Sequence, residues 1–245
     1  MLRNIIRKTN FTEALKKRAI RLGNLVRRSE SLSESKKKWN ELAKKNARYF
    51  VLTNYGENIS EDIFSKEGQR DYENHIASDE IIKEKIPDSQ IACALEIGCG
   101  IGRTTEFIAR DFGDVYGIDI SEEMIAAAEE RLAGLSNIKF VATDGITIPF
   151  PDNMFDLIFS FIVFQHMPNK ETVERNINEV ARTLKPGGIA KIQLRGVPVS
   201  KSNWFYGPAF TEDDVLKLLR NRQLNLIKTE GADKKYFWIW LAKEN

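Results

Sequence analysis

The sequence predicts a doubly wound α/β domain, and three observations carry the prediction. From Ile91 onward, short apolar runs alternate with stretches of helical periodicity. That is the pattern of βαβ units, which build a largely parallel sheet covered by helices. One apolar run, residues 94–97, passes directly into three closely spaced glycines and then a helical stretch, an arrangement that presents backbone amides to a ligand. Finally, 245 residues of which 42% are hydrophobic and 29% charged suffice for one sizeable core and an appendage.

The appendage comes first in the chain. Residues 1–50 hold 15 Lys or Arg against 4 Asp or Glu, a net +11, which leaves 22 basic and 31 acidic residues, a net −9, for the remainder. The overall charge of +2 hides this asymmetry. Phe11, Leu15, Leu22 and Val26 share one helical face, opposite Lys16, Lys17, Arg18, Arg21 and Arg27, so a basic amphipathic helix is expected. Residues 29–35, SESLSES, are expected to be a linker, because serines compete for backbone hydrogen bonds. A second helix is expected over 36–48, with Trp39, Leu42 and Ala43 on one side. Residues 1–50 thus read as a basic helical arm, 51–85 as a helical cap and 86–245 as the main domain.

Strands are expected at 91–97, 115–119, 138–142, 155–161, 188–194, 224–229 and 236–242, with helices between them. Ser121 followed by Glu122 and Glu123 marks the start of a helix over 122–133, since a serine cap and an acidic first turn suit a helix N-terminus. Pro186, Gly187 and Gly188 are expected to stop a helix over 171–185. No apolar run approaches the roughly 20 residues of a membrane span, and no apolar secretory leader opens the chain. Cys93 and Cys99 are the only cysteines and have no His pair nearby, which points away from a disulfide framework or a zinc site and toward a soluble protein of a reducing cytoplasm.

The chemistry concentrates in ALEIGCGIGRTT, residues 94–105. Gly98, Gly100 and Gly102 leave room for a ligand against the backbone. Their spacing is G-x-G-x-G, with Arg103 where a dinucleotide fingerprint wants its third glycine, so a nicotinamide cofactor fits less well. Asp119, in VYGIDIS, follows Gly98 by 21 residues at the end of the second expected strand; a carboxylate there can accept from both hydroxyls of a ribose. Asp144 and Gly145 follow the third strand in VATDG, and FDLIFS with Phe161 forms the fourth. Glu96, Asp119, Asp144 and Phe161 therefore all fall at C-terminal strand ends, where open α/β sheets bind ligands.

These segments together resemble the class I S-adenosylmethionine-dependent methyltransferases, of the small-molecule type, over residues 70–245. LKPGG at 184–188 is similar to that family's turn before its fifth strand, and KKYFWIWLAKE to its last, antiparallel strand. The resemblance implies a Rossmann-like seven-stranded sheet, mostly parallel with an antiparallel last strand, and a helical N-terminal extension. It implies S-adenosylmethionine as cofactor and S-adenosylhomocysteine as product. It places Glu96 near the methionine end, Gly98 and Gly100 along the amino acid and ribose, Ile120 and Met124 against the adenine, and Asp144 with Gly145 at the adenine amine. Cys99 and Gly102 complete the cofactor loop, Cys99 as a small buried filler.

His166, in FQHMP, matches a histidine often found in the family near the transferred methyl; it is the candidate general base, with Gln165 beside it. His75, the other histidine, is a weaker candidate beside Tyr72 and Ile76. Tyr49, Phe50 and Tyr55, with the segment to Tyr72, are expected to form a lid. Residues 202–206, with Trp204 and Phe205, are expected either to line an acceptor pocket or to pack beneath Pro208 and Phe210. The arm admits four readings: a solvated helix pair, a face for an anionic membrane or partner protein, a nucleic-acid contact, or, in a eukaryotic source, a mitochondrial leader. A small-molecule acceptor is preferred, because no separate substrate domain is visible. The rivals are a nucleic-acid methyltransferase, which lacks its usual Asn/Asp-Pro-Pro-aromatic motif at SFIV; a non-catalytic cofactor-binding protein; and a nicotinamide oxidoreductase.

Overall fold

The computed structural model describes residues 31–199 and 205–244. The first amphipathic stretch, with Phe11 to Val26, and the segment 202–204, including Trp204, lie outside the described residues. Seven strands form one sheet: β1 (Cys93–Ile97), β2 (Asp114–Asp119), β3 (Ile138–Ala142), β4 (Phe155–Ser160), β5 (Leu184–Leu194), β6 (Leu224–Glu230) and β7 (Phe237–Lys243). Their order is β3-β2-β1-β4-β5-β7-β6. The first five run parallel, and β7 runs antiparallel to both its neighbours. The fold is therefore the Rossmann-like sheet expected, antiparallel last strand included. From β1 the chain winds first toward β3, then crosses back to β4, so the topological switch point lies between β1 and β4, where such sheets bind ligands.

Both faces of the sheet are covered. Leu95, Ile158, Ile192 and Ile239 look into one apolar cluster with Val173, Ile177 and Val180. Ala94, Leu157, Trp238 and Trp240 look into the other with Phe107, Ile108 and Ile76. Alternation of side chains along each strand produces this division.

The helices are α1 (Leu32–Val51), α2 (Glu61–Tyr72), α3 (Glu80–Lys85), α4 (Thr105–Asp111), α5 (Glu122–Arg131), α6 (Lys170–Thr183) and α7 (Glu212–Leu218). Two departures from the sequence expectation have a clear physical reason. The serine-rich stretch is no linker beyond Ser31: Ser31 and Glu34 form a reciprocal capping box, and α1 begins at Leu32. A Ser-x-x-Glu pattern satisfies two amides at a helix start, and this outweighs the weak helix propensity of Ser33 and Ser35. Likewise α6 ends at Thr183, before the Pro-Gly-Gly, and β5 already begins at Leu184. The Pro and glycines fall instead where the pairing with β4 shifts register, between Leu184 and Ile189, as tolerated at a bulge.

α1 breaks at Asn46 (φ −170°). The Asn46 side chain accepts from the Tyr49 amide at 3.0 Å and donates to the Glu57 carbonyl at 2.7 Å, so the last turn is recapped and swings Phe50 and Val51 inward. A third apolar cluster joins this region to the main domain: Ala43, Ile59 and the fully buried Phe64 pack on Ile101 and Met124.

One buried ion pair ties the cap to the sheet. Lys191 Nζ of β5 meets Asp79 Oδ2 at 2.7 Å, both side chains under a tenth exposed, and Trp240 donates to the same oxygen at 2.8 Å. Asp79 Oδ1 meanwhile caps α3 through the amides of Ile81 and Ile82. Removing one partner leaves an uncompensated buried charge, which costs about 3–5 kcal/mol. Asp79→Ala, which leaves the buried Lys191 charge without its counter-ion, is expected to lose that much in urea denaturation, and Lys191→Met distinctly less, because the Asp79 carboxylate keeps its hydrogen bonds from Trp240, Ile81 and Ile82. A loss below about 1 kcal/mol, typical of exposed pairs, would show the pair to be unimportant.

Candidate active site

A cavity of about 510 Å³ follows the C-terminal edge of the sheet. Its wall takes residues from the ends of successive strands: Gly145 beyond β3, Ile120 beyond β2, Glu96 and the glycine turn of β1, Phe161 beyond β4, and Tyr236 before β7. Because the strand order is known, the cavity runs from the β2–β3 side, across the switch point, to the β7 side.

Gly98, Gly100 and Gly102 have φ of +74°, +54° and +76°, a region L side chains rarely enter. A Cβ on Gly98 would stand 2.2 Å from Val163, so the turn has no room for any other residue. The amides of Gly98 and Cys99 both donate to the Ile118 carbonyl (2.7 and 3.0 Å). The Gly100 amide donates to Asp119 Oδ2 at 3.0 Å, and Ser121 N to Oδ1 at 2.9 Å. Asp119 is open only toward the cavity, and this desolvation raises its carboxyl above the ordinary value against the Ser121 and Gly100 hydrogen bonds. Each of its oxygens keeps a lone pair for a ligand hydroxyl.

Glu96 is buried at the end of β1, with Thr105 Oγ1 donating to it at 2.5 Å. Burial pushes its carboxyl up to about 7, opposed by Thr105 and the nearby Arg103 charge. Cys99 is a buried free thiol, raised well above its usual value by the same desolvation; a neutral thiol here is filler, not nucleophile. Ile120 and buried Met124 line the cavity beside Gly145.

Two sequence-predicted residues are not among the lining residues. Gly102 lies under Leu132, 2.7 Å from where a Cβ would stand, and so sets helix packing. The Asp144 carboxylate folds back on its own loop, accepting from the amides of Ile146 (2.8 Å) and Thr147 (2.7 Å) and the Thr147 hydroxyl (2.9 Å). Against its partial burial, these bonds hold the carboxyl below its ordinary value.

His166 faces the cavity against Phe205 (4.2 Å between ring centroids) and Trp39 (5.9 Å). Its Nδ1 hydrogen-bonds the Phe205 carbonyl; since a carbonyl only accepts, Nδ1 carries the proton. Nε2, left with its lone pair, stands 3.1 Å from the Gln165 amide nitrogen. Phe205 thus belongs to the cavity wall, and Tyr206 follows beside it.

His75 reaches the cavity by a route the sequence did not show. Residues Glu73–Ala77 form a π turn, closed by the Ser78 amide on the Glu73 carbonyl at 3.0 Å, and it turns His75 between Phe161 (4.6 Å) and Trp238 (4.7 Å). Burial, then the Lys191 charge, holds the imidazole down at about 4. Ile162, at φ +60°, is a β-branched residue in the left-handed region, strain of a kind concentrated at functional sites; its amide donates to Gln193 Oε1 at 3.0 Å. Leu32, Ser35, Trp39 and Val51 of α1 also line the cavity. Their only sequence signal was the Trp39 face of the expected helix. Among the described residues there is no metal-ligating cluster, and no helix is long and apolar enough to cross a membrane.

Comparison with known proteins agrees with this geometry. Residues 95–192 match the family model described as a methyltransferase domain. A phosphoethanolamine N-methyltransferase of Caenorhabditis elegans is 40% identical over 105 residues, 42% of this chain and 23% of that protein. A 2-methyl-6-phytyl-1,4-hydroquinone methyltransferase of Synechocystis sp. is 38% identical over 96 residues, 39% of this chain and 29% of that protein. The matched segment thus spans less than a third of either relative's length. A magnesium protoporphyrin IX methyltransferase from Synechocystis PCC 6803, solved with bound S-adenosylhomocysteine, has the same fold, with a TM-score of 0.64 at 16% identity over 87% of this chain and all of that one. Residues 95–192 thus match a methyltransferase domain, the fold is shared with a methyltransferase solved with S-adenosylhomocysteine, and S-adenosylmethionine is the cofactor that the sequence resemblance implies. The residues fit that group: a cavity of the right order of size, a turn where a Cβ would intrude, and two carboxylates facing inward.

Neutral His75 makes an acid-sensitive element. A histidine whose folded value lies near 4 and whose free value lies near 6.5 contributes stability present above pH 6.5 and lost as pH falls toward 4. His75→Gln is expected to flatten the pH dependence of the urea midpoint in that window; an unchanged slope would show the ring to be solvated.

Proposed function

We propose that this chain transfers the methyl group of S-adenosylmethionine to a small acceptor bound at the β7 end of the cavity. The observation that carries the proposal is the pair of carboxylates, Glu96 and Asp119, flanking one glycine turn in a cavity that continues to the aromatic wall of Phe161, His75 and Tyr236. The relatives support a small-molecule acceptor, since their names describe methylation of phosphoethanolamine and of a hydroquinone.

The cofactor supplies an activated sulfonium methyl group, so the protein's task is to bind, orient and exclude water. Asp119 would hold the ribose hydroxyls. Glu96 would face the ammonium of the methionine moiety, with Gly98 and Gly100 giving close backbone approach. Ile120, Met124 and Cys99 would enclose the apolar surface of the adenosine, and Asp144 would act at one remove by fixing the turn that presents Gly145. The last turn of α1, with Phe50 and Val51, roofs the turn and keeps water out. His166 has the tautomer a base requires, and would take a proton from the acceptor at Nε2 by exchanging Gln165 for it. Phe161 marks the junction between the two reactants.

Calorimetric titration with S-adenosylhomocysteine tests the reading. Wild type is expected to bind it, and Asp119→Ala to bind at least about tenfold more weakly, through loss of the ribose hydrogen bonds; an unaffected variant would displace the ribose from this site. Because a ligand ammonium favours ionised Glu96, affinity is expected to fall about tenfold per pH unit below 7 and to level off above it. Glu96→Gln should abolish that slope.

A further inference from the structure

β5 and the residue just past it carry three polar side chains on one face, at alternate positions: Lys191, Gln193 and Arg195. All are buried, at 4%, 0% and 3% exposure, and buried polar groups normally find partners. Two do. Lys191 meets Asp79, and Gln193 accepts from the Ile162 amide and donates to Gln165 Oε1 at 3.3 Å. Arg195 does not: its Nε and Nη2 are shielded and meet no hydrogen-bond acceptor among the described residues.

Its surroundings are aromatic. The guanidinium carbon stands 5.1 Å from the Tyr206 ring, and the titratable groups acting on it are the phenols of Tyr206 and Tyr236, with no carboxylate among them. Leu194 pairs with Phe237 across the sheet, so Arg195 stands abreast of Tyr236. Tyr236 and Lys235 line the cavity, with Arg195 and Tyr206 outside the lining and Arg195 abreast of Tyr236, and Tyr236 packs on Phe161 at 5.6 Å. The charge without a counter-ion is therefore the one at the C-terminal strand edge, where ligands enter.

We infer that Arg195 is a specificity-determining residue that receives an anionic oxygen group of the methyl acceptor, a carboxylate or a phosphate, between Tyr206 and Tyr236. This rests on the methyl-transfer reading above. The guanidinium fork matches such oxyanions in pairs of hydrogen bonds, and Lys235 adds positive charge at the approach. Phe161 and the neutral ring of His75 seat an apolar, flat body beside it. The acceptor class is thus a small, largely apolar molecule bearing one oxyanion.

The full chain, saturated with S-adenosylhomocysteine, is titrated calorimetrically with benzoate, phenyl phosphate and neutral benzamide, alongside Arg195→Met and Arg195→Lys. At least one anion is expected to bind wild type tenfold or more tightly than benzamide, and the stronger of the two tells carboxylate from phosphate. Arg195→Met should lose that preference with unchanged S-adenosylhomocysteine affinity and an unlowered melting temperature, while Arg195→Lys keeps part of it. No measurable anion binding, equal binding of all three probes, a preference surviving in Arg195→Met, or a markedly lowered melting temperature in that variant would each overturn the assignment. If S-adenosylhomocysteine itself fails to bind, the methyl-transfer reading falls, and the same anion titrations on the free chain still decide the role of Arg195.

Discussion

The hydrogen bond from the Gly100 amide to the Asp119 carboxylate is the constraint on which the site depends. It joins the turn after β1 to the end of β2, reinforced by two amides on the Ile118 carbonyl, and it fixes the direction of the Asp119 oxygens. The turn reaches this position only by adopting positive φ at three residues while Val163 and Leu132 press on Gly98 and Gly102. A tight turn, a half-buried carboxylate and two parallel strands in register are therefore one unit. Loosening any part displaces the carboxylate from the glycine turn.

Around that unit the N-terminal helix forms a roof by two kinds of contact. On the outside, Lys36 and Lys44 pair with Glu122 and Glu123, the acidic first turn of α5, and Asn40 joins Ser121 and Glu122. The ion pairs are solvent-facing, screened by salt and individually weak, while the Ser121 hydroxyl that donates to Asn40 is buried. Inside, Ala43, Trp39 and Val51 of α1 join the apolar cluster in which Phe64 of α2 is fully buried with Ile101 and Met124, Arg48 of α1 and Arg131 standing over its ring, and apolar burial of this kind supplies the adhesion. Charge complementarity thus sets the register of the helix, and hydrophobic burial holds it. Part of the basic excess before residue 51 has its counterpart in the acidic excess after it.

The site was legible wherever chemistry and strand position coincide. Glu96, Asp119, Gly98 and Gly100 could be placed at the cavity because a carboxylate or glycine just past an apolar run has few other uses, whereas Gly102 packs under Leu132 instead. Asp144 shows the weakness of the same logic: an aspartate in a turn serves equally well to cap its own loop, and the Thr147 amide and hydroxyl take it up. Ser31 and Glu34 carried a readable capping box, but the surrounding serines masked it. His75 was only the weaker of two histidine candidates, and neither its place between Phe161 and Trp238 nor the left-handed Ile162 had a local signal, since a π turn and a left-handed isoleucine are imposed by what packs against them.

By itself the sequence determined the alternating elements, the parallel sheet and the row of strand-end residues, because side-chain periodicity and glycine spacing act over a few residues. Only the tertiary structure decided that α1 roofs the cavity, that His75 stands between Phe161 and Trp238, and that Arg195 alone of three buried polar groups lacks a partner among the described residues. Those facts depend on contacts between segments tens of residues apart, and whether a buried charge is paired is a property of the packed whole.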